Sequence, residues 1–425
     1  MAAPALRDTL NQAVPATKEE PIPPATPISA PDATAPRFSV RFLEEGIPSS
    51  VFQALILNNR GEVLCITEDR EPFPEADQGG KRMRPLYRTV GTKYHVYREG
   101  KLTTVAEMGQ IVTFRPLAFN DRGQILGFEY DIEEIRRATQ APRLESGRSP
   151  SGFLNPGMTP AVRNTRLTLW ENGRFRPLNI AEALIEAGMP ARYAPFLESA
   201  MIAMNSKTQI LVGLQNLYLW ENGKARRIGT GGVSTGERFF INERGTVVRR
   251  GEQYRPSPDG ASVYPVTAIY SSGNRTPRTQ DFGFGSFVVD LNSRDELLVG
   301  RMYLPTPDTP RMQFTRWQGS RQETLFAVNG RTPARMNRHG IVTAWRQKES
   351  AGGWSSLFAT GNGSFSPSVP ILWDGRKLYD LQTLLPTNLE VTSLTDINDR
   401  NEILAQVRVD GKLRMALLVP ESPPR

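Results

Sequence analysis

The chain has 425 residues, 39% of them hydrophobic and 23% charged, with a net charge of +8. That composition fits neither wholesale disorder nor a helical membrane-spanning protein, since no apolar run approaches the roughly 18 residues a spanning helix needs. One cysteine (Cys65) and two histidines (His95 and His339) exclude an intramolecular disulfide and any multi-Cys or multi-His metal centre. Of 52 basic residues only nine are lysines, and the basic residues are scattered among acids. This is the pattern of an arginine-rich coding bias rather than of a nucleic-acid surface.

Residues 1–37 hold eight prolines and nine alanines and few bulky apolar residues, which predicts a disordered, semi-extended tether. The opening MAAPALRDTL lacks a basic segment followed by an apolar run, so no secretion signal is visible. A strand is expected over Phe38–Leu43.

From there one motif recurs: an apolar residue, Asn, two polar residues, usually Gly, then a β-rich run. Its seven copies place Asn at 58, 120, 205, 242, 292, 337 and 398. The motif predicts a hairpin turn. The Asn side chain bonds the backbone two residues on, and Gly three residues later takes a left-handed conformation. Asp295 and Asn401 stand in for Gly as the next best tolerated residues, whereas Thr208 does not fit and predicts a different turn in the third copy. A second signature follows, an aromatic residue and a tight Gly turn, clearest in Trp170-Glu171-Asn172-Gly173 and Trp220-Glu221-Asn222-Gly223. Each unit therefore reads as four strands, A to D, with the Asn turn between A and B and the second turn between C and D.

The last unit ends after a C strand at Leu413–Val419, and Phe38–Leu43 occupies the slot of a D strand. Residues 38–420 thus predict an all-β, seven-bladed β-propeller closed by an N-terminal strand in the last blade, with short helical insertions and a tail at 421–425. Long insertions at 68–85, 131–162, 179–198, 251–262 and 347–366 fall in B–C or D–A connections, which predicts one functional, long-loop face. In the 179–198 insertion Asn179 and Glu182 suggest an N-cap box, Ala181, Leu184 and Ile185 an apolar stripe, and Gly188 and Pro190 a stop. A second short helix is expected over Asp131–Arg137.

No phosphate-cradling loop, zinc spacing or calcium loop is present, and no catalytic residue, metal or cofactor is assigned. His339 is expected in a solvated turn, His95 on a strand, Cys65 as a small core residue, and the recurring tryptophans in blade packing. Ligand-binding candidates come from the insertions: the basic Arg82 and Arg84, Arg136 and Arg137, and the aromatic Tyr254 and Trp354.

The segments Tyr379–Pro386, Thr395–Asp399 and Met415–Pro420, with the Trp-Glu-Asn-Gly turns, resemble the HAF-type extracellular repeat proteins of bacteria. The resemblance spans about 38–420 and departs at the usual His-Ala-Phe triplet, where Met415-Ala416-Leu417 stands instead. It implies a β-propeller-like protein that is secreted or on the cell envelope, and no particular reaction. The function expected is non-enzymatic binding of a protein or glycan partner by a monomer through the long-loop face. The alternative is a propeller hydrolase or lyase acting on polysaccharide, which needs two carboxylates at a fixed separation.

Overall fold

The computed structural model describes residues 23–44, 51–72, 87–108, 114–130, 166–214, 216–229, 239–257, 263–271, 277–303, 310–330, 332–347 and 368–421. Their strands form seven four-stranded antiparallel sheets. The A strands (Val51–Leu57, Phe114–Phe119, Met201–Met204, Phe239–Ile241, Ser286–Leu291, Ala334–Met336 and Leu389–Ile397) each touch the next around a ring, and the last touches the first. The sheets are therefore the blades of a closed seven-bladed propeller.

Closure occurs as the sequence predicts. In blade 7, strands Leu389–Ile397, Ile403–Val409 and Lys412–Pro420 are completed by Phe38–Phe42, with Phe38 opposite Pro420 and Phe42 opposite Ala416. The core lies between neighbouring sheets rather than in one centre. Leu57, Val63, Cys65 and Tyr97 of blade 1, for example, pack on Leu404, Met415 and Leu417 of blade 7. Small residues on the B strands make room for large ones. A Cβ at Gly127 would strike Phe114, one at Gly213 would strike Phe239, and one at Gly300 would strike Met312. Cys65 holds the same slot, fully buried, and burial pushes its thiol well up out of the reactive range.

The seven Asn turns share one geometry. Each Asn Oδ1 accepts the N–H groups two and four residues on, as Asn58 does from Arg60 at 3.0 Å and Glu62 at 2.9 Å. The third copy is no exception. Thr208 adopts φ +61° and donates its N–H to the Asn205 carbonyl at 3.0 Å, so the expected different turn does not occur.

The Asn side chains also join the blades. Asn58 Nδ2 donates to the carbonyl of Asn120 (3.0 Å), Asn120 to Asn205 (3.1 Å), Asn205 to Asn242 (2.9 Å) and Asn242 to Asn292 (2.8 Å). Asn292 donates to Asn337 (3.0 Å), Asn337 to Asn398 (3.0 Å), and Asn398 returns to Asn58 (3.1 Å). The second amide hydrogen goes to the residue four on: Glu62, Gln124, Gln209, Glu296 and Glu402 in their own turns. Thr246 and Ile341 hold that position in blades 4 and 6 and supply no such acceptor. There the next blade's turn provides it: Asp295 Oδ1 for Asn242 and Asn401 Oδ1 for Asn337, both at 2.7 Å. The two acidic or amide residues that replace turn glycine thus do so because a neighbour needs their oxygen, at φ +64° and +63°. Thr208 likewise reaches back, its hydroxyl donating to Gln124 Oε1 at 2.9 Å.

Residues 23–37 depart from the expected tether; 1–22 lie outside the described residues. The segment straps the outer edges of blades 5 and 6. Thr26 N–H donates to Ala327 O (2.8 Å) on the D strand of blade 5, and Ser29 N–H to Leu378 O (2.7 Å) on that of blade 6. Lys377 Nζ meets Asp32 Oδ2 at 2.6 Å, and Ile28 packs on the layer shared by blades 5 and 6. Exposed D-strand edges demand a covering partner, and a proline-rich strand covers them without offering a fresh edge of its own.

The 179–198 insertion forms helix α1 (Ile180–Glu186) and a 3₁₀ segment, Ala191–Ser199. Asn179 is the N-cap residue but makes no side-chain cap bond. The buried stripe is Ile180, Ala183 and Leu184, while Ile185 points out, because α1 packs with Met189 and Leu197 on the layer between blades 2 and 3. The insertions at 68–85 and 251–262 begin later than expected, since 68–72 and 251–256 extend B strands. The helix expected over 131–137 lies outside the described residues.

Asn120→Asp keeps the shape but turns two donors into lone pairs facing Gln124 Oε1 and the Asn205 carbonyl. A loss of about 3 kcal/mol or more is expected in urea unfolding, against little change for Asp121→Asn beside it. Ile28→Asp should release the strap, so that trypsin cuts after Arg37 in the variant while the parent protein resists and the propeller core persists in both.

Candidate binding face

The Asn ring organises one end of the propeller residue by residue. The positions just after each Asn are Asn59, Asp121, Ser206, Glu243, Ser293, Arg338 and Asp399. They turn toward the axis and bond one another. Asn59 N–H donates to Asp121 Oδ1 (2.7 Å), Asp121 N–H to Ser206 Oγ (3.0 Å), and Ser206 N–H to Glu243 Oε2 (2.8 Å). Arg338 N–H donates to Asp399 Oδ1 (2.8 Å), and Ser293 Oγ reaches Asp399 Oδ2 (3.2 Å) across the whole of blade 6. Such a span is possible only near the axis. Burial raises the Glu243 carboxyl above its ordinary value, the Ser206 bonds oppose the shift, and the charges of Asp121 and Asp399 add to it.

One position further on stand Arg60, Arg122, Lys207, Arg244, Arg294, His339 and Arg400, all exposed. Several span to the next turn: Arg60 donates to the Asp121 carbonyl (3.2 Å), Lys207 to that of Arg244 (3.2 Å), and Arg400 to that of Arg60 (2.7 Å). The side chains of Arg60, Arg244 and Arg400 remain 52, 60 and 56% exposed. Every acid in these turns (Glu62, Asp121, Glu243, Asp295, Glu296, Asp399 and Glu402) is buried or half-buried. The charges are therefore sorted by depth: carboxylates inward and bonded, cations outward in a crown.

Below the ring, two residues before Asn, the A strands of blades 5, 6 and 7 bring Asp290, Arg335 and Asp396 together. Arg335 Nε lies 3.9 Å from Asp396 Oδ1, and Asp290 Oδ2 accepts the Met336 N–H at 2.9 Å. Asp396 is half-buried, 32% exposed, among residues of the A strands near the axis. Desolvation therefore dominates and lifts its carboxyl to about 7, helped by Asp290 and opposed by Arg335.

Clefts open between blades on the same face. The one between blades 2 and 3, about 490 Å³, is lined by Arg122, Arg176, Lys207, Glu171 and Trp220 among others. That between blades 4 and 5, about 360 Å³, is lined by Arg244, Arg278, Arg294, Asp295 and Trp317. A larger one of about 770 Å³ between blades 6 and 7 is walled by the strap residues Ala33–Phe38 and is mostly apolar.

Of the residues singled out from the sequence, Arg82, Arg84, Arg136, Arg137 and Trp354 lie outside the described residues. Tyr254 lies on the B strand of blade 4, Val247–Pro256, rather than in a loop, and its side chain is not described. His95 is buried between Thr67 Oγ1 (2.9 Å from Nε2) and Thr104 Oγ1 (3.1 Å from Nδ1), with its pKa lowered first by burial and then by Lys93. His339 is exposed in its turn. The tryptophans pack in the blade layers as expected, Trp220 being 5% and Trp373 9% exposed. The crown cations sit inside the repeated turn, where the Asn and Gly positions that set the backbone dominate the sequence signal. Their recurrence two residues after Asn was the available signal. Among the described residues no group of three His, Cys, Asp or Glu side chains is placed to hold a metal ion, and no helix is long and apolar enough to cross a membrane.

No protein-family model and no curated protein matches the sequence. Among solved structures the chain is similar to the β-propeller domain of the trilobed protease from Pyrococcus furiosus, with a TM-score of 0.49 and 8% identity over 88% of this chain and 98% of that one. It is also similar to the tricorn protease (TM-score 0.48, 10% identity, 93% of this chain and 34% of that one). TolB from Acinetobacter baumannii is a further match (TM-score 0.35, 9% identity, 78% and 60%). At these identities and scores the likeness is noted without a functional consequence; the propeller assignment stands on the strand order and ring closure above.

Asp396 holds its proton in the fold at pH values where the unfolded chain has released it, so ionising it costs stability as pH rises from about 4 through 7. Asp396→Asn removes that cost. The variant's melting temperature should gain on the parent's steadily between pH 4 and 8, and a difference that stays flat across that range would contradict the assignment.

Proposed function

We propose that this chain is a non-enzymatic binding propeller that holds an anionic protein or glycan partner on the face formed by its Asn turns, opposite the long-loop face expected from the sequence. The observation that carries this is the sorting of charge in those turns, where every exposed titratable side chain is Arg, Lys or His and every acid is withdrawn. A crown of this kind focuses positive potential over one end of a rigid body and speeds encounter with an anion. The axial carboxylates support binding over polysaccharide cleavage. Asp121, Glu243 and Asp399 each accept a backbone N–H of a neighbouring turn, and Asp290 and Asp396 below them accept those of Met336 and Ile397, so all five serve the scaffold. A glycosidase would need a free pair. The HAF resemblance adds an extracytoplasmic location to the proposal.

The test compares two charge-matched variants on an immobilised polyanion. Arg60→Gln with Arg400→Gln removes two crown charges. Arg192→Gln with Lys412→Gln removes two exposed charges from B–C and D–A connections at the other end. Binding at physiological salt should weaken by roughly tenfold in the first, with a shallower salt dependence, and by much less in the second. Equal losses in both would mean that net charge alone drives retention and would remove the proposed face.

A further inference from the structure

The clefts between blades 2 and 3 and between blades 4 and 5 are built largely from equivalent positions. Each takes the crown cation of both flanking turns: Arg122 with Lys207 in one, Arg244 with Arg294 in the other. Each takes an arginine from the D strand, Arg176 opposite Leu169 and Arg278 opposite Ile269, at the register that also holds Arg226 in blade 3, where the partner precedes the aromatic residue near the end of strand C. Each is closed by the indole of the following blade, Trp220 or Trp317, and each contains a single carboxylate from a different position: Glu171 at the end of a C strand, and Asp295 in an Asn turn, where Asn242 and Arg244 already hold its two oxygens. Two sites of similar make-up on one face form a pair, while the larger cleft between blades 6 and 7 is apolar and walled by the chain's own strap.

This inventory selects among anions. Three cations and one carboxylate leave a local charge of about +2, enough to fix one singly charged group. The carboxylate would repel a densely charged phosphate polymer. It accepts hydroxyl protons readily, and its neighbours are likewise hydroxyl-recognising groups: Asn179 and Asn222 in the first cleft, Gln280 and Ser271 in the second. Glu171 Oε1 is held by Gln124 Nε2 at 2.7 Å, which orients the carboxylate and leaves Oε2 for a ligand. A ligand with one carboxylate and several hydroxyls per unit, repeated along a chain, satisfies both clefts at once. We infer that the turn face recognises an acidic polysaccharide of the uronate type, with one uronate carboxylate bound by the arginines of each cleft. This rests on the crown reading above and names its ligand class.

The experiment measures binding of polygalacturonate oligomers to the full chain by calorimetry, with polyphosphate and a poly-glutamate peptide as rival anions and a neutral galactan as control. Polygalacturonate should bind most tightly. Arg176→Gln and Arg278→Gln should each weaken it about tenfold, as expected for a lost charge-assisted bond. Their combination should lose more than either, through loss of bivalency. Glu171→Gln should weaken polygalacturonate about threefold and strengthen polyphosphate. The pair Arg60→Gln and Arg400→Gln, outside both clefts, should weaken all the anions alike. If that pair weakens every anion while the cleft variants leave the order of preference unchanged, the uronate assignment fails and the crown reading stands. Tighter binding of polyphosphate or poly-glutamate by the parent chain also overturns the assignment, and binding of none of the anions overturns both.

Discussion

Seven asparagine amides, each giving one hydrogen to the carbonyl of the next blade's asparagine, make a hydrogen-bonded ring that the rest of the molecule is arranged around. Every polar valence of these buried residues is used. Both side-chain lone pairs accept from the turn, both amide hydrogens donate, and the carbonyl takes the turn bond and the neighbour's amide together. Buried polar networks are stabilising only when each member is satisfied. The ring therefore ties turn geometry to blade contact: a blade without this asparagine would leave an amide and a carbonyl without partners at the axis. The bonds all run the same way round, so the Phe38–Phe42 strand and the Asn398 to Asn58 bond close the circle at different radii, one at the rim of blade 7 and one at the centre.

The same constraint sorts the charges. The residue after each Asn is directed to the axis and meets its counterparts there, where short polar or acidic side chains bond the neighbouring N–H groups. The next residue is directed outward at the top of the turn, free to carry a long cationic side chain whose stem spans to the next blade. The residue four after Asn returns to the interior as its acceptor. A five-residue turn thus sets the depth of each charge, and sevenfold repetition turns that local rule into a face with buried carboxylates and exposed cations.

Much of this was legible in the amino-acid order. The Asn spacing, the Trp-Glu-Asn-Gly turns and the unpaired strand at each end identify the propeller and its seam, because turn chemistry and strand count are local facts. Two things were not. The replacement of Gly by Thr208, Asp295 and Asn401 looks like tolerance or exception within a single turn. It makes sense only across the blade interface, where these side chains serve Gln124, Asn242 and Asn337. The proline-rich strap reads as a spacer because its own composition cannot form a core. Its order comes from sheet edges more than 280 residues away in the chain, as where Arg311 donates to the Pro23 carbonyl. Helix α1 shows the same limit on a smaller scale: an apolar stripe was visible, but which side of it faces in depends on the layer beneath.

Symmetry explains the scaffold, and departures from symmetry explain what the scaffold can do. The ring gives every pair of blades the same gap in principle. Between blades 2 and 3 and between blades 4 and 5 the gap keeps crown cations, a D-strand arginine and an indole. Between blades 6 and 7 it is taken by Ala33–Phe38, the segment that must pass there to reach its place as the closing strand. The seam therefore gives one gap an apolar wall, while the two charged gaps lie away from the closing strand. An arginine at the D-strand register of blades 2 and 4 does nothing for the ring, the blade layers or the closure. Arg176 and Arg278 are exposed and are explained by none of the interactions that hold the propeller together. Arginine also stands at this register in blade 3, as Arg226 opposite Leu219, but there it is half-buried; what sets Arg176 and Arg278 apart is their exposure in the two charged clefts.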